Sequence, residues 1–362
     1  MVLVNFNNKN AKNVNDMVLS YIDKLDKSEK LSKDDFLMLL DNINYETFPY
    51  LQNKAYNKCR EVYNDSVFIR GLIEITNYCI QDCYYCGIRK SNEKVVRYRY
   101  DKKTILDIIE HAYKNGYRTI VMQGGEDLYY DDNCLIDIVS TIRKLYPALA
   151  ITLSLGERTT ESYRKLHEAG TNRFLLRHES ASDEHYQKLH PDRLLKTRMR
   201  SLYDLKSIGY QTGAGFMVDS PYQGNNDLVN DLLFIQDFQP EMIGIGPYLT
   251  HPDTPFNEFA NGDINHVLVC YALARLICPK ALIPSTTATS SLDSNGRYLA
   301  LMSGCNVIMI NLSPVDKRKN YSLYANKTYA GDESQAYLDL IKKDIEKANL
   351  KIDFNIGNYK KE

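Results

Sequence analysis

The stretch Thr76-Asn-Tyr-Cys-Ile-Gln-Asp-Cys-Tyr-Tyr-Cys-Gly-Ile-Arg89 decides how the chain is read. It places Cys79, Cys83 and Cys86 at the spacing C-x3-C-x2-C, with Tyr85 just before the last cysteine. A cubane 4Fe–4S cluster has four irons, and thiolates are their usual ligands. Three closely spaced thiolates hold three irons and leave the fourth open to a small molecule. Two plainer accounts stand beside this one. Cysteines at i, i+4 and i+7 share one helix face and could form a buried stripe, since free cysteine behaves as a small hydrophobe. A zinc knuckle is the other, but structural zinc takes four ligands, and no Cys or His follows within twenty residues of Cys86. A strand-like run precedes the cysteines and polar and aromatic residues surround them, which suits a cluster-binding loop.

Working outward, short β-branched runs alternate with helical patterns, the rhythm of βα units and a parallel sheet. Eight runs are expected: Ile69–Thr76, Thr119–Glu126, Ala150–Glu157, Arg173–Glu179, Thr212–Val218, Met242–Leu249, Ala281–Ala288 and Val307–Ser313. Helical patterns such as Lys102–Asn115, Thr160–Ala169, Met199–Ile208, Asp227–Asp237, Asn265–Ile277 and Ser294–Ser303 separate them. Gly116, Gly170, Gly209 and Gly304 fall where helices should stop. The count is that of a closed α/β barrel of the (β/α)8 TIM type. Residues 1–66 read as a helical extension, with amphipathic Val14–Leu25 and Ser32–Asn42, the second opened by Ser32 and Asp35. The barrel is expected over 67–329. A short tail over 330–362, helical at Glu333–Ala348, is expected to pack on it.

The polar motifs gather at the C-terminal ends of these runs, the face where barrel enzymes carry their chemistry. The cysteines follow the first run, Gln123-Gly-Gly-Glu-Asp127 ends the second, and Ser154-Leu-Gly-Glu157 ends the third. Arg177-His-Glu179 ends the fourth, and Thr286 and Thr287 lie near the end of the seventh. Arg and Glu seldom enter a barrel mouth without a partner or ligand, so Glu157, Arg177 and Glu179 are candidates for binding or for a rim of ion pairs. His178 alternates with Arg177 and Glu179 and should point outward. His251, in His251-Pro-Asp-Thr-Pro255, is a structural histidine or a substrate contact. Tyr321 and Tyr324 either close the cavity or pack, and Gly213-Ala-Gly215 either makes room for a ligand or lets strands pack tightly.

Composition narrows the class. The formal net charge of −1 over 362 residues gives no electrostatic case for nucleic acid or an anionic membrane. Eight cysteines in a chain this long do not make a disulfide scaffold. Cys59, Cys134, Cys270, Cys278 and Cys305 are expected as buried thiols. No stretch approaches the length of a membrane span, and residues 1–9 hold too short an apolar run for a signal peptide. A reducing, anaerobic cytoplasm is the expected location.

The cysteine motif resembles that of the radical S-adenosylmethionine (SAM) superfamily, in which SAM chelates the open iron. On that resemblance, backbone and acidic groups of Gly124, Gly125 and Glu126 are suited to the ammonium of SAM. The carboxylates at the strand ends would bond ribose hydroxyls or the amine. Arg177 or Arg198 would grip a carboxylate through the guanidinium fork. Over residues ~60 to ~325 the chain is similar to one branch, the HydE-type maturases of iron–iron hydrogenase. That likeness rests on GEDLYY (Gly125–Tyr130), TLSLGE (Thr152–Glu157), LLRHE (Leu175–Glu179), GYQTGAGFMV (Gly209–Val218), IGIGPY (Ile243–Tyr248), HPDTP (His251–Pro255) and TTA (Thr286–Ala288).

The branch implies one 4Fe–4S cluster at the top of a complete barrel, with SAM on its unique iron and Tyr85 beside the adenine. Ser154, Glu179 and Arg198 would contact SAM. Gln123, Arg177, Thr286, Thr287 and Tyr324 would line the cavity toward substrate, with Glu157 at its edge. No side chain is assigned bond-making chemistry beyond the cluster and SAM. The implied task is assembly of the hydrogenase di-iron subcluster from a cysteine-bound iron carbonyl-cyanide unit, with other maturation proteins and an electron donor as partners. Gly124 stands where members often have Ser, and Thr289-Ser290 where they often have Met-Gly. The chain has no Cys after Cys305, so an accessory C-terminal cluster is not expected. The alternatives are a biotin synthase-like or methylornithine synthase-like enzyme acting on a small organic molecule, and an iron-cluster carrier that leaves SAM intact.

Overall fold

A computed structural model describes residues 10–325 and 335–360. Three helices come first: α1 (Lys12–Asp26), α2 (Lys33–Asn42) and α3 (Phe48–Tyr63). The capping box expected at α2 is present, with Ser32 accepting from the Asp35 amide and Asp35 accepting from that of Ser32. The apolar faces of these helices share a core with later helices, through Ile22, Phe36 and Leu51 on one side and Leu232, Leu268 and Leu273 on the other.

The parallel strands then alternate with helices. In order they are β1 (Ser66–Thr76), α4 (Lys102–Lys114), β2 (Thr119–Gly124), α5 (Asp132–Leu145), β3 (Ala150–Ser154), α6 (Thr160–Glu168), β4 (Arg173–Leu175), α7 (Asp183–Leu189) and α8 (Leu195–Ile208). Next come β5 (Gln211–Ala214), β6 (Met217–Val218), α9 (Asn225–Phe238), β7 (Met242–Ile243), β8 (Gly246–Pro247), α10 (Ile264–Ile277), α11 (Thr287–Leu292) and α12 (Gly296–Met302). The chain continues through β9 (Val307–Asn311), α13 (Val315–Arg318), α14 (Gln335–Lys347) and β10 (Lys351–Asp353). The four glycines expected to stop helices all have positive φ, between 91° and 116°.

The main sheet runs β10–β1–β2–β3–β4–β5–β7, with β9 on the other side of β1. Parallel bridges from Leu282 to Met242 and from Pro284 to Val307 carry the pairing round from β7 to β9. The fold is therefore the expected (β/α) barrel, with departures in the fifth, sixth and seventh runs. The seventh run, Ala281–Ala288, is not a regular strand. Pro284 has no amide to donate, and Thr286 already caps α11 by accepting from the Thr289 amide. The fifth and sixth runs are each broken in two, as β5 with β6 and β7 with β8. The break falls at Gly215, where a Cβ would stand 2.0 Å from the Gly244 carbonyl oxygen. With Gly213 against Leu175, this tripeptide serves strand packing rather than ligand room.

Alternation along the strands divides two environments. Ile73, Met122, Leu153 and Phe174 face the helices. Arg70, Thr152 and Arg173 belong to the opposite, barrel-facing set, and all three are buried. The N-terminal end of the barrel is filled. Phe68, Met242, Leu282, Val307 and Tyr63 pack together there. Arg173 donates through Nη2 to the carbonyls of Ile356 and Gly357 and to Asn358 Oδ1, at 2.9–3.1 Å. The segment after β10 thereby forms a floor, which the sequence did not suggest. The expected tail helix is α14, its first residues Glu333 and Ser334 lying outside the described residues, as do 1–9 and the 329/330 boundary. Among the described residues, no helix is long and apolar enough to cross a membrane.

Candidate active site

The loop after β1 carries the three cysteines and is pinned from within. Arg97 donates to four backbone carbonyls, those of Asn77, Ile88, Arg89 and Asn92. Asp82 accepts from the amide and hydroxyl of Ser91 and pairs with Arg89. The Gly87 amide donates to the Leu323 carbonyl at 2.9 Å, tying the loop to the chain beyond α13. Within this frame Cys79, Cys83 and Cys86 are free, partly buried and line one cavity. Burial, with Cys79 beside it, pushes the Cys83 thiol up to about 12, and burial raises Cys79 and Cys86 also. Such thiols ionise only when a bound cation compensates their charge. Three free thiols of one loop, lining one cavity, are a donor set that fits three irons of a 4Fe–4S cluster.

The cavity, about 300 Å³, opens at the C-terminal ends of the strands. It brings together residues far apart in sequence. Tyr85, Gly124, Gly125, Glu126, Ser154, Glu179 and Arg198 line it with the cysteines, and so do Gln123, Arg177, Thr286, Tyr321 and Tyr324. Gly125 lies against the cysteine loop, where a Cβ would stand 2.1 Å from the Tyr78 carbonyl oxygen. Glu126 accepts from Gln81 Nε2 at 2.6 Å and from Arg193 at 2.7 Å. Its neighbour Asp127 is a structural group, taking both Nε and Nη2 of Arg99 at 2.7 and 2.9 Å.

At the end of β4, Glu179 has φ +66°, a conformation uncommon outside glycine. Its amide donates to the Gly215 carbonyl at 3.0 Å. Arg177 Nη2 and Glu179 Oε2 approach to 3.0 Å without hydrogen-bond alignment, and both atoms are buried. Arg198 donates to the Arg177 carbonyl at 2.6 Å and to Glu157 Oε1 at 2.5 Å.

Some candidates sit elsewhere. Glu157 does not line the cavity. It faces an outer groove with Asp132 and Arg158, and its carboxylate is held by Arg193 and Arg198. Thr287 is the first residue of α11 and is also outside the lining. The Thr286 hydroxyl is already engaged with Tyr271 and Thr289, at 3.2 and 2.9 Å. His178 points outward as expected, fully buried and 3.2 Å from Asp231. His251 is structural, accepting from the Asp253 amide at 3.1 Å. Of the scattered cysteines, four are buried and Cys134 is partly so. Gln81 and Arg193 are polar cavity residues that the sequence did not single out. Gln81 is a variable position within the cysteine motif and Arg193 belongs to no motif, and the carboxylate both of them meet, Glu126, follows β2.

Comparison with known proteins agrees with this geometry. Residues 73–235 match the family model of the Radical SAM superfamily. Over 321 residues the chain is 40% identical to the FeFe hydrogenase maturase subunit HydE of Thermotoga maritima, covering 88% of this chain and 92% of that one. It is 26% identical over 304 residues to the 3-methylornithine synthase of Methanosarcina acetivorans, covering 82% and 83%. The crystal structure of methylornithine synthase (PylB) superposes with a TM-score of 0.79 at 22% identity, over 92% of this chain and 97% of that one, and so shares the fold. The fold and the cysteine-lined cavity are those of a radical SAM enzyme. Within that class the chain belongs to the HydE family of FeFe hydrogenase maturases. Membership implies a 4Fe–4S cluster and SAM, and ties the chain to hydrogenase maturation.

Proposed function

We propose that Cys79, Cys83 and Cys86 hold one 4Fe–4S cluster and that the cavity binds SAM against it. The reaction serves assembly of the di-iron subcluster of FeFe hydrogenase, on a cysteine-bound iron carbonyl-cyanide unit. The observation that carries this reading is the sharing of one cavity by three free cysteines and by Glu126, Ser154, Glu179 and Arg198 from separate segments. The cluster, held by Cys79, Cys83 and Cys86, would supply one electron for the reductive cleavage of SAM to methionine and a 5′-deoxyadenosyl radical.

The protein's own part is binding, orientation and water exclusion. Glu126 suits the ammonium of SAM and Arg198 its charged end, while Ser154 and Glu179 suit the hydroxyls of the nucleoside. Tyr85, beside Cys86, suits the adenine. Leu323, Met217 and Ile88 give the wall an apolar surface against water. Gln123, Arg177, Thr286 and Tyr324 are left for the substrate, and Arg177, ion-paired with Glu179 but with Nε and Nη2 lacking an aligned hydrogen bond, offers donors to an anionic one. An electron donor and the other maturation proteins complete the system.

The test is an anaerobic maturation assay, in which apo-hydrogenase receives the other maturation components, SAM and reductant. Hydrogen evolution that requires intact Cys79, Cys83 and Cys86 is the expected result. Release of 5′-deoxyadenosine without hydrogenase activation would redirect the substrate toward a small organic molecule. SAM binding with no cleavage under reduction would favour a cluster carrier.

A further inference from the structure

Four charged side chains from separate segments form an ionic layer along one side of the cavity. Glu126 follows β2, Glu157 follows β3, Arg193 lies in the loop between α7 and α8, and Arg198 lies in α8. Arg193 Nη1 is 2.7 Å from Glu126 Oε1, and its Nη2 is 2.8 Å from Glu157 Oε2. Arg198 Nε takes the other oxygen of Glu157 at 2.5 Å. All four side chains are nearly buried, at 8–13% exposure. The layer is also a partition. Arg193 and Arg198 line the cavity, Glu157 lines the outer groove, and Glu126 borders both.

The acceptor positions of Glu126 are nearly filled. A carboxylate offers about four lone-pair sites. Oε1 takes Arg193 Nη1 and the Glu157 amide, the latter at 3.2 Å, and Oε2 takes Gln81 Nε2 at 2.6 Å. One site on Oε2 is left among the described residues. Arg193 also stands between the two carboxylates, whose charges would otherwise repel each other in a nearly water-free wall. Its guanidinium stays charged and its fork meets both at once, which a single ammonium cannot do in the same geometry. The loop that carries it is anchored. His190 Nδ1 bonds the Tyr186 carbonyl at 3.1 Å, and His190 Nε2 lies 3.1 Å from the Tyr85 hydroxyl.

We propose that Arg193 is a positioning residue for the amino-acid end of the cofactor. It holds Glu126 so that the remaining acceptor site of Oε2, beside Gln81, stays reserved for a primary ammonium. The proposal rests on the SAM reading above. It makes Arg193 matter for a ligand that carries an ammonium and not for the nucleoside alone.

The test compares two ligands on the anaerobically reconstituted protein by equilibrium dialysis. One is SAM. The other is 5′-methylthioadenosine, which has the nucleoside and thioether but no ammonium or carboxylate. Arg193→Met is expected to weaken SAM roughly 10- to 100-fold, the range for a charge-assisted hydrogen bond, and to change methylthioadenosine less than about threefold. Arg193→Lys should recover part of the loss. Glu126→Gln should also weaken SAM, and adding Arg193→Met to it should cost little more, because the two act as one unit. Equal weakening of both ligands by Arg193→Met, or a full second loss in the Glu126→Gln background, would overturn the proposal while leaving the SAM reading intact. Wild-type protein that fails to bind SAM would overturn the SAM reading, and this one with it.

Discussion

The hydroxyl of Tyr85 lies 3.1 Å from Nε2 of His190, and the two rings meet edge to face at 87°. Because His190 Nδ1 faces the Tyr186 carbonyl, that nitrogen carries the proton and Nε2 accepts from Tyr85. The residue just before Cys86 is thereby tied to the loop that carries Arg193. Tyr85→Phe leaves Nε2 a buried acceptor without a donor, which should cost about 1–3 kcal/mol. Thermal unfolding of the reconstituted protein measures this, with the cluster absorbance retained. An unchanged melting temperature would mean that the pair contributes nothing to stability.

Alanine at Cys79, Cys83 or Cys86 should abolish the brown absorbance of the reconstituted protein. Cys270 lies in the middle of α10, fully buried in the apolar core, and alanine there should leave the absorbance in place. Equal loss from Cys270→Ala would sink the three-ligand arrangement.

Glu179 joins a proposed binding role to a costly backbone conformation. At φ +66° a side chain costs about 1–2 kcal/mol that glycine does not incur. Glu179→Gly should therefore be about 1 kcal/mol more stable than Glu179→Ala in urea unfolding. Both should lose SAM affinity to a similar degree, since both remove the carboxylate. A glycine variant no more stable than the alanine one would remove the backbone argument.

His185 gives stability a dependence on pH. Burial lowers its pKa below the usual histidine value. Ser180 Oγ is 2.9 Å from Nδ1, and the Pro221 carbonyl accepts from Nε2 at 3.2 Å. Below about pH 6.5 the unfolded chain takes up a proton that the folded chain resists, so stability falls as pH drops. The slope from this one group is at most about 1.4 kcal/mol per pH unit. Chemical unfolding between about pH 5 and 7 in wild type and His185→Gln measures it. The variant should show the flatter profile, and a steeper one would count against the assignment.

Much of this was legible before the structure. The cysteine loop is a local pattern, and the strands that bring the motifs together announce themselves by β-branched runs followed by helical ones. Legibility fails where local pattern and tertiary context part. Ala281–Ala288 has the composition of a strand, but Pro284 and the cap at Thr286 prevent a regular ladder. The sequence places Glu157 with the strand-end groups, as a binding residue at the cavity edge or part of a rim of ion pairs. The strand ends three residues earlier, at Ser154, and two arginines hold Glu157 in the outer wall as an ion-paired group. Arg193 has no motif at all. Its role arises only when β2, β3 and the loop after α7 meet. The three residues of β10 are too few to announce a strand, and their place beside β1 depends on contacts made across the whole chain.

The filled floor of the barrel has a kinetic consequence. Arg173 and the segment around Gly357 seal one end, so molecules exchange through the mouth. With SAM at that mouth, as proposed, a substrate beneath it would have to enter before SAM and leave after the nucleoside, so the closed floor would impose an order of binding.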